Sequence, residues 1–444
     1  MFGYSMVQTV RSNAHKLDKP LREQMLSMYK PFKWTPCFFH NAFEKMLLKR
    51  KTYSVIVELN QGCFDQGSMT VEHVLKKHQK CQLRHSFSKI RCVSANVTPE
   101  SLQEMLVCKD IRKIYLNREV HALLDTAVES AQAFEVIRNG ETLTGKDVTI
   151  AVIDTGIYPH EDLEGRIKAF VDFVNQREEP YDDNGHGTHC AGDAAGNGAS
   201  SDGQYRGPAP EANVIGVKVL NKQGMGSLES IMQGVEWCIQ YNEEHPDDPI
   251  HIISMSLGGQ ALPYENEQED PMVRIVEEAW NAGITVCVAA GNSGPDAQTI
   301  ASPGVSEKVI TVGALDDRDT TDREDDDVAP FSSRGPTIYG KPKPDILAPG
   351  VNIVSLRSPN SFYDKIQKGS RVGSHYTMMS GTSMATPVCA GVVALMLQHE
   401  PNLTPDEVKT RLMEGTDRWA DRDPNVYGAG YISAEGAIPN SEEE

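Results

Sequence analysis

Three residues of this chain combine a reactive type with surroundings that suit nucleophilic catalysis: Asp154, His186 and Ser383. Ser383 lies in SGTSMATP (380–387), where small residues suit a tight turn, and the apolar run VCAGVVALML continues as a buried helix. At the mouth of such a helix a serine has its backbone N–H beside the positive end of the helix dipole, a good place for a developing oxyanion. The same position suits an ordinary helix cap. The stretch alone leaves nucleophile and cap both open. Asp154 directly follows the apolar strand pattern TIAVI, where a carboxylate either projects into a site or forms a turn. His186 stands in DDNGHGTHCAG, whose glycines allow close backbone approach before an apolar helix starts.

Taken together the three make one proposal. A serine hydroxyl is a poor nucleophile until a base removes its proton, and the histidine needs a carboxylate to hold its tautomer. Their order along the chain is Asp, His, Ser, which is not the order of the α/β-hydrolases. Ala385 also stands where a nucleophile elbow would carry its second glycine.

The elements that must position these residues begin at about residue 148, where apolar strand patterns alternate with helical ones. Strands are expected at 148–153, 214–219, 251–255, 284–289 and 309–312, and helices at 187–195, 228–242, 271–282, 384–399 and 405–413. This is an α/β pattern with a parallel sheet, and runs such as TIAVI and ITVCVAA belong to strands covered on both faces. Functional groups in such sheets gather at the carboxyl ends of the strands. The first third of the chain differs. Residues 1–50 suggest amphipathic helices, and 51–125 a small α+β unit with strands at 53–59, 92–97 and 111–116 and helices at 71–78 and after Thr98. Residues 126–144 suggest a linker.

Composition narrows the function classes. No apolar run is long enough to span a bilayer, and the N-terminus lacks a secretory pattern, so a cytoplasmic protein without membrane association is expected. Nine cysteines without a CxxC pair suggest reduced thiols, not a zinc site or a disulfide framework. The net charge of −19 is unevenly spread. Residues 1–125 hold 20 Lys+Arg against 11 Asp+Glu, and the remainder 23 against 51. A basic part joined to an acidic part describes two pieces that attract each other. The basic part has no cluster with interleaved aromatics, so nucleic acid is not expected as a partner. The acidic run 316–327 suggests a solvated loop.

Seven motifs, in order, resemble those of the subtilisin-like serine proteases: AVIDTGI (151–157), NGHGTHCAG (184–192), VKVL (217–220), SMSLGG (254–259), VAAGNSG (288–294), KPDILAPG (343–350) and SGTSMATP (380–387). The resemblance runs from about 145 to 435, and the chain as a whole is similar to the AprX-type intracellular bacterial members. It implies a three-layer fold with a mostly parallel sheet between helices over 145–440, preceded by a propeptide domain at 51–125. It also implies a broad serine endopeptidase acting on protein and peptide substrates. Ser383 would attack, His186 would serve as base and then acid, and Asp154 would orient His186. Asn292 and the Ser383 N–H would form the oxyanion hole. Ser256, Leu257 and Gly258 on one side, and Gly224 to Gly226 on the other, would take the substrate as an added strand.

The resemblance further implies that the propeptide is a partner of the catalytic domain, removed by self-cleavage between Asn117 and Gly140. No cofactor is required for catalysis. Structural calcium is expected at Asp162 and Asp345, although the loop 197–204 departs from the usual ligand pattern. Cys190, one helical turn from His186, reads as a buried thiol. The competing readings are a silent binding protein on the same fold, which the complete set of Asp154, His186, Ser383 and Asn292 disfavours, and a non-protease serine hydrolase, which the Ser383 motif disfavours.

Overall fold

The computed structural model describes residues 5–29, 32, 40–60, 64–117, 119–122, 133, 136–318, 323, 326–417 and 422–439. The chain divides between Arg118 and Glu119 into two compact units.

The first unit is built on a four-stranded antiparallel sheet of order β2-β3-β1-β4, with β1 Tyr53–Leu59, β2 Gln82–Phe87, β3 Cys92–Val97 and β4 Ile111–Leu116. Alternate residues of β1 (Tyr53, Val55, Val57 and Leu59) enter one core. Residues 1–50 are not a separate appendage. Met6 and Val10 of α1 (Ser5–Ser12), and Leu21 and Met25 of α2 (Lys19–Ser27), lie in that same core. Leu17 bridges to Ile114 at the open edge of β4, the Asp18 N–H donates to the Ile114 carbonyl, and Leu116 N–H donates to the Asp18 carboxylate at 3.2 Å. The helix expected at 71–78 starts earlier, spanning Phe64–Lys76 (α4, after α3 His40–Arg50). Its first turns hold Gly67, where a Cβ would sit 3.0 Å from the Leu59 side chain. It is the close packing of helix on sheet that selects glycine. Strand β2 was not anticipated: its mostly polar, half-exposed pattern is that of an edge strand. Helix α5 (Pro99–Leu106) starts on a Thr98–Ser101 capping box, as the sequence suggested.

The second unit is organised by an eight-stranded sheet. Along its main path the order is β14-β13-β12-β10-β6-β8-β7, with β15 also paired to β13. The strands are β6 Thr149–Asp154, β7 Ile167–Asp172, β8 Asn213–Lys218, β10 Ile252–Met255, β12 Thr285–Ala289, β13 Ile310–Asp316, β14 Asp327–Val328 and β15 Ile346–Pro349. All pairings are parallel except that of β14 with β13. Strands β6 and β12 are buried along their whole length, as their unbroken apolar sequences require. Helices α7 (Leu228–Glu244) and α8 (Pro271–Asn281) pack against each other. Helix α9 (Thr382–His399) packs against α6 (His186–Ala195) and beneath β10, β12 and β13, and α10 is Pro405–Glu414. Residues 382–397 are buried throughout, which explains why α9 has no polar face. Among the described residues no helix is long and apolar enough to cross a membrane.

A separate three-stranded antiparallel sheet places β5 (Glu119–Ala122) between β9 (Met225–Ser227) and β11 (Leu257–Gly258). Residues 119–122, expected within the α+β unit, thus belong to the second unit.

The core shared by α2 and the first unit's sheet makes a test of this architecture. Leu21→Ala, made in a Ser383→Ala background to suppress proteolysis, should destabilise that unit by about 2–5 kcal/mol. Amide exchange in β1 and β4 should accelerate; unchanged exchange would mean that α2 does not support the sheet.

Candidate active site

The parallel sheet brings the three candidate residues to one end. Asp154 is the last residue of β6, His186 the first of α6 and Ser383 the second of α9. Nδ1–H of His186 donates to the Asp154 carboxylate, 2.8 and 2.9 Å from its two oxygens, and both side chains are fully buried. The close approach of α6 to β6 depends on Gly187, where a Cβ would sit 2.3 Å from the Gly156 carbonyl. Burial opposes a charge on His186, but the Asp154 carboxylate outweighs it and holds the imidazole pKa well above its ordinary value. Nε2 of His186 is buried and has no hydrogen bond among the described residues. Ser383 Oγ donates to the Ser256 carbonyl at 3.3 Å.

The first turn of α9 carries a consequence of Pro387. Proline has no N–H, so the Ser383 carbonyl four residues earlier loses its helical partner. Two side chains take its place: Ser256 Oγ donates to it at 2.6 Å and Cys190 Sγ at 3.5 Å. Burial pushes the Cys190 thiol up to about 12, so it is a neutral donor and not a thiolate. Ser256, assigned from sequence to the substrate strand, therefore also braces the turn that carries Ser383.

Asn292 is oriented unambiguously. Its Oδ1 accepts from the Thr382 N–H at 3.0 Å and the Thr382 hydroxyl at 3.2 Å, and that hydroxyl in turn accepts from Gly291 N–H. The amide is thereby pinned with Nδ2 buried and without an acceptor among the described residues. An unpaired donor beside the start of α9 is what a transient oxyanion there would need.

Reasoning from sequence missed the residues that hold this arrangement. Asp182 accepts five hydrogen bonds: from Thr155 Oγ1, Asn184 N and Gly185 N on one oxygen, and from Thr188 N and Oγ1 on the other. Thr155 Oγ1 also accepts from Gly187 N, so one small network joins the end of β6 to the start of α6. Lys218, fully buried at the end of β8, donates to the carbonyls of Thr155 and Leu220 and to Asp183. The signals were present, an acidic pair before GHG and a lysine in an apolar strand, but the contacts that tie both to the end of β6, through Thr155, are not local in sequence.

Of the expected cleft residues, Gly226 pairs with Val120, Leu257 with Ala122 and Gly258 with His121. Gly224 lies in the turn before β9, its N–H donating to Asn221 O. The strands expected to receive a peptide thus pair with the chain's own residues 119–122.

The two expected calcium ligands are differently engaged. Asp162 Oδ2 accepts from Tyr376 OH at 2.7 Å and Oδ1 from Ser200 N at 3.0 Å. Burial works against its charge, but His160, Tyr376 and Ser200 outweigh it and keep the carboxyl well below its usual range. Asp345 faces two ammonium groups, Lys343 Nζ on one oxygen and Lys409 Nζ, at 3.0 Å, on the other. The donors around Asp345 do not fit a metal ion.

Comparison with known proteins adds to this geometry. The subtilase (peptidase S8) family model matches residues 145–430. The serine protease AprX of Bacillus subtilis (strain 168) is 70% identical over 99% of this chain and 100% of its own length. A thermostable alkaline protease of Halalkalibacterium halodurans is 33% identical over 87% of this chain and 91% of its own. Among solved structures, fervidolysin from Fervidobacterium pennivorans shares the fold, with a TM-score of 0.67 at 22% identity. That alignment covers 87% of this chain and 61% of fervidolysin.

Proposed function

Since the chain belongs to the subtilase family and is a serine-type endopeptidase, we propose that Ser383, His186 and Asp154 form its catalytic triad, with broad specificity and a propeptide removed by self-cleavage. The observation that carries the triad is the buried Asp154–His186 pair at 2.8 Å, set at the sheet end that also holds Ser383. His186 Nε2, free of other hydrogen bonds among the described residues, takes the Ser383 proton as Oγ attacks the peptide carbonyl. Asp154 holds Nδ1–H and stabilises the imidazolium that forms. The tetrahedral oxyanion accepts from Asn292 Nδ2 and from the Ser383 N–H. His186 then protonates the leaving amine, and water, deprotonated by the same imidazole, releases the acyl group.

Backbone pairing with β9 and β11 ignores side-chain identity, which supports a broad endopeptidase. Self-cleavage is supported by β5, a segment of the chain itself paired antiparallel along both walls. Gly258 pairs with His121 and Leu257 with Ala122, and the next residue on that wall, Ser256, accepts from Ser383 Oγ, so the pairing ends one residue short of the candidate nucleophile's own partner. The proposed cut is therefore Leu123–Leu124; residues 123–132 lie outside the described residues. The basic balance of residues 1–125 against the acidic remainder supports a propeptide that stays associated after the cut.

Mass spectrometry of the purified protein should find a new N-terminus at Leu124, and Ser383→Ala should leave the chain whole. Trimming of the Ser383→Ala chain to the same product would refute self-cleavage in cis. Asn292→Ala should lower kcat by about 10²–10³, the known cost of losing the corresponding donor in subtilisin, with KM little changed. A loss confined to KM would remove Asn292 from the oxyanion hole. The base must be neutral, so kcat/KM should rise with pH to a half-point above the ordinary 6.5 of imidazole. Because the folded pKa is raised, the stabilisation from the ion pair is complete below 6.5 and fades as pH climbs through that same half-point. A rate profile with its half-point below 6.5 would contradict the assignment of His186.

A further inference from the structure

Away from the catalytic end, the loop entering β13 turns three successive carbonyl oxygens toward one point. Lys409, on α10, fills it: Nζ lies 2.8 Å from Glu307 O, 3.2 Å from Lys308 O and 3.0 Å from Val309 O, with Asp345 Oδ1 at 3.0 Å. A second ammonium adjoins it. Lys343 Nζ, buried, donates to Val309 O at 3.1 Å, to Thr311 Oγ1 at 2.9 Å and to Asp345 Oδ2. Asp345 is fixed from behind by the Thr311 N–H at 2.7 Å.

Carbonyls and a carboxylate converging on one point are the ligand set of a hard cation. Oxygens converging in this way repel one another unless a positive charge sits at their centre. The distances about Lys409 Nζ, 2.8–3.2 Å, exceed the roughly 2.3–2.6 Å at which calcium binds oxygen. The cage is therefore sized for a large, singly charged ion, and an ammonium is one.

We propose that Lys409, assisted by Lys343, is a tethered substitute for a bound cation: the chain supplies its own monovalent ion to the loop that enters β13. A side chain that is part of the fold cannot dissociate, so this corner of the catalytic unit is independent of ions in solution. Removing the ammonium but keeping the oxygens turns the cage into a site for a potassium-sized ion. Lys409→Met does this, because it retains the apolar stem.

The test uses full-length Ser383→Ala protein and the same chain carrying Lys409→Met. Thermal midpoints are measured in potassium chloride and in tetramethylammonium chloride at equal ionic strength; the second cation is too large for the cage. In tetramethylammonium the Lys409→Met midpoint should fall by a few degrees, roughly 2–4 °C. Potassium should restore a good part of that loss and leave the parent unmoved. Potassium gains that are equal in the two chains, whether zero or not, would overturn the proposal. Should Lys409→Met fail to fold, Lys409→Gln is compared in the same way, with the same two readings.

Discussion

The Asp182 carboxylate is the joint on which the catalytic end turns. Five donors converge on it from three places: Thr155 just after β6, the Asn184–Gly185 turn, and Thr188 in the first turn of α6. Hydrogen bonds to an ionised acceptor are about twice as strong as neutral ones, and in a buried site they reinforce one another. The orphan N–H groups at the start of α6 are met here, because the cap residue is Gly185 and has no side chain to offer. Asp154 and His186 therefore meet as the outcome of a rigid frame and not by their mutual attraction alone. Lys218 braces the same frame from β8, its buried charge compensated by two carbonyls and Asp183.

Helix α9 obeys a related constraint. A helix buried on every side has no water to satisfy stray backbone groups, so the carbonyl freed by Pro387 must find donors within the protein. Ser256 and Cys190 supply them, one from the turn between β10 and β11, the other from α6. The thiol beside the active site thus has a structural explanation that calls for no reactivity. Thr382 does comparable work on Asn292, since two donors on one amide oxygen decide which way the amide faces.

Buried charge recurs wherever loops meet the sheet. Asp162, Lys218, Lys343 and Asp345 are all buried, and each has at least one partner from an element remote in sequence. In the first unit the same logic closes an edge: Asp18, buried, caps α2 through Leu21 N–H and pairs with the end of β4. An open strand edge is a hazard for any small sheet. Here Leu17 and Asp18 cover it.

The residues that could do chemistry were legible in the sequence because reactive side chains need small neighbours and defined turns, and both leave local traces. Asp154 after TIAVI, His186 within GHGTH and Ser383 within SGTSMATP were found in that way, as were the buried parallel strands from their unbroken apolar runs. Local pattern failed wherever a residue's meaning depended on a distant partner. The helix at 64–76 was expected only from 71, because Gly67 owes its place to packing on Leu59 from a distant strand. Asp345 resembled a metal ligand, but Lys409 lies 64 positions away and no spacing rule connects them. Residues 119–122 have no strand signal of their own and become a strand only between β9 and β11. Sequence alone determined which groups were available and which elements would carry them. The tertiary structure decided which carboxylate holds an imidazole, which holds an ammonium and which holds a turn together, because a buried charge takes its role from whatever donor the fold brings within about 3 Å.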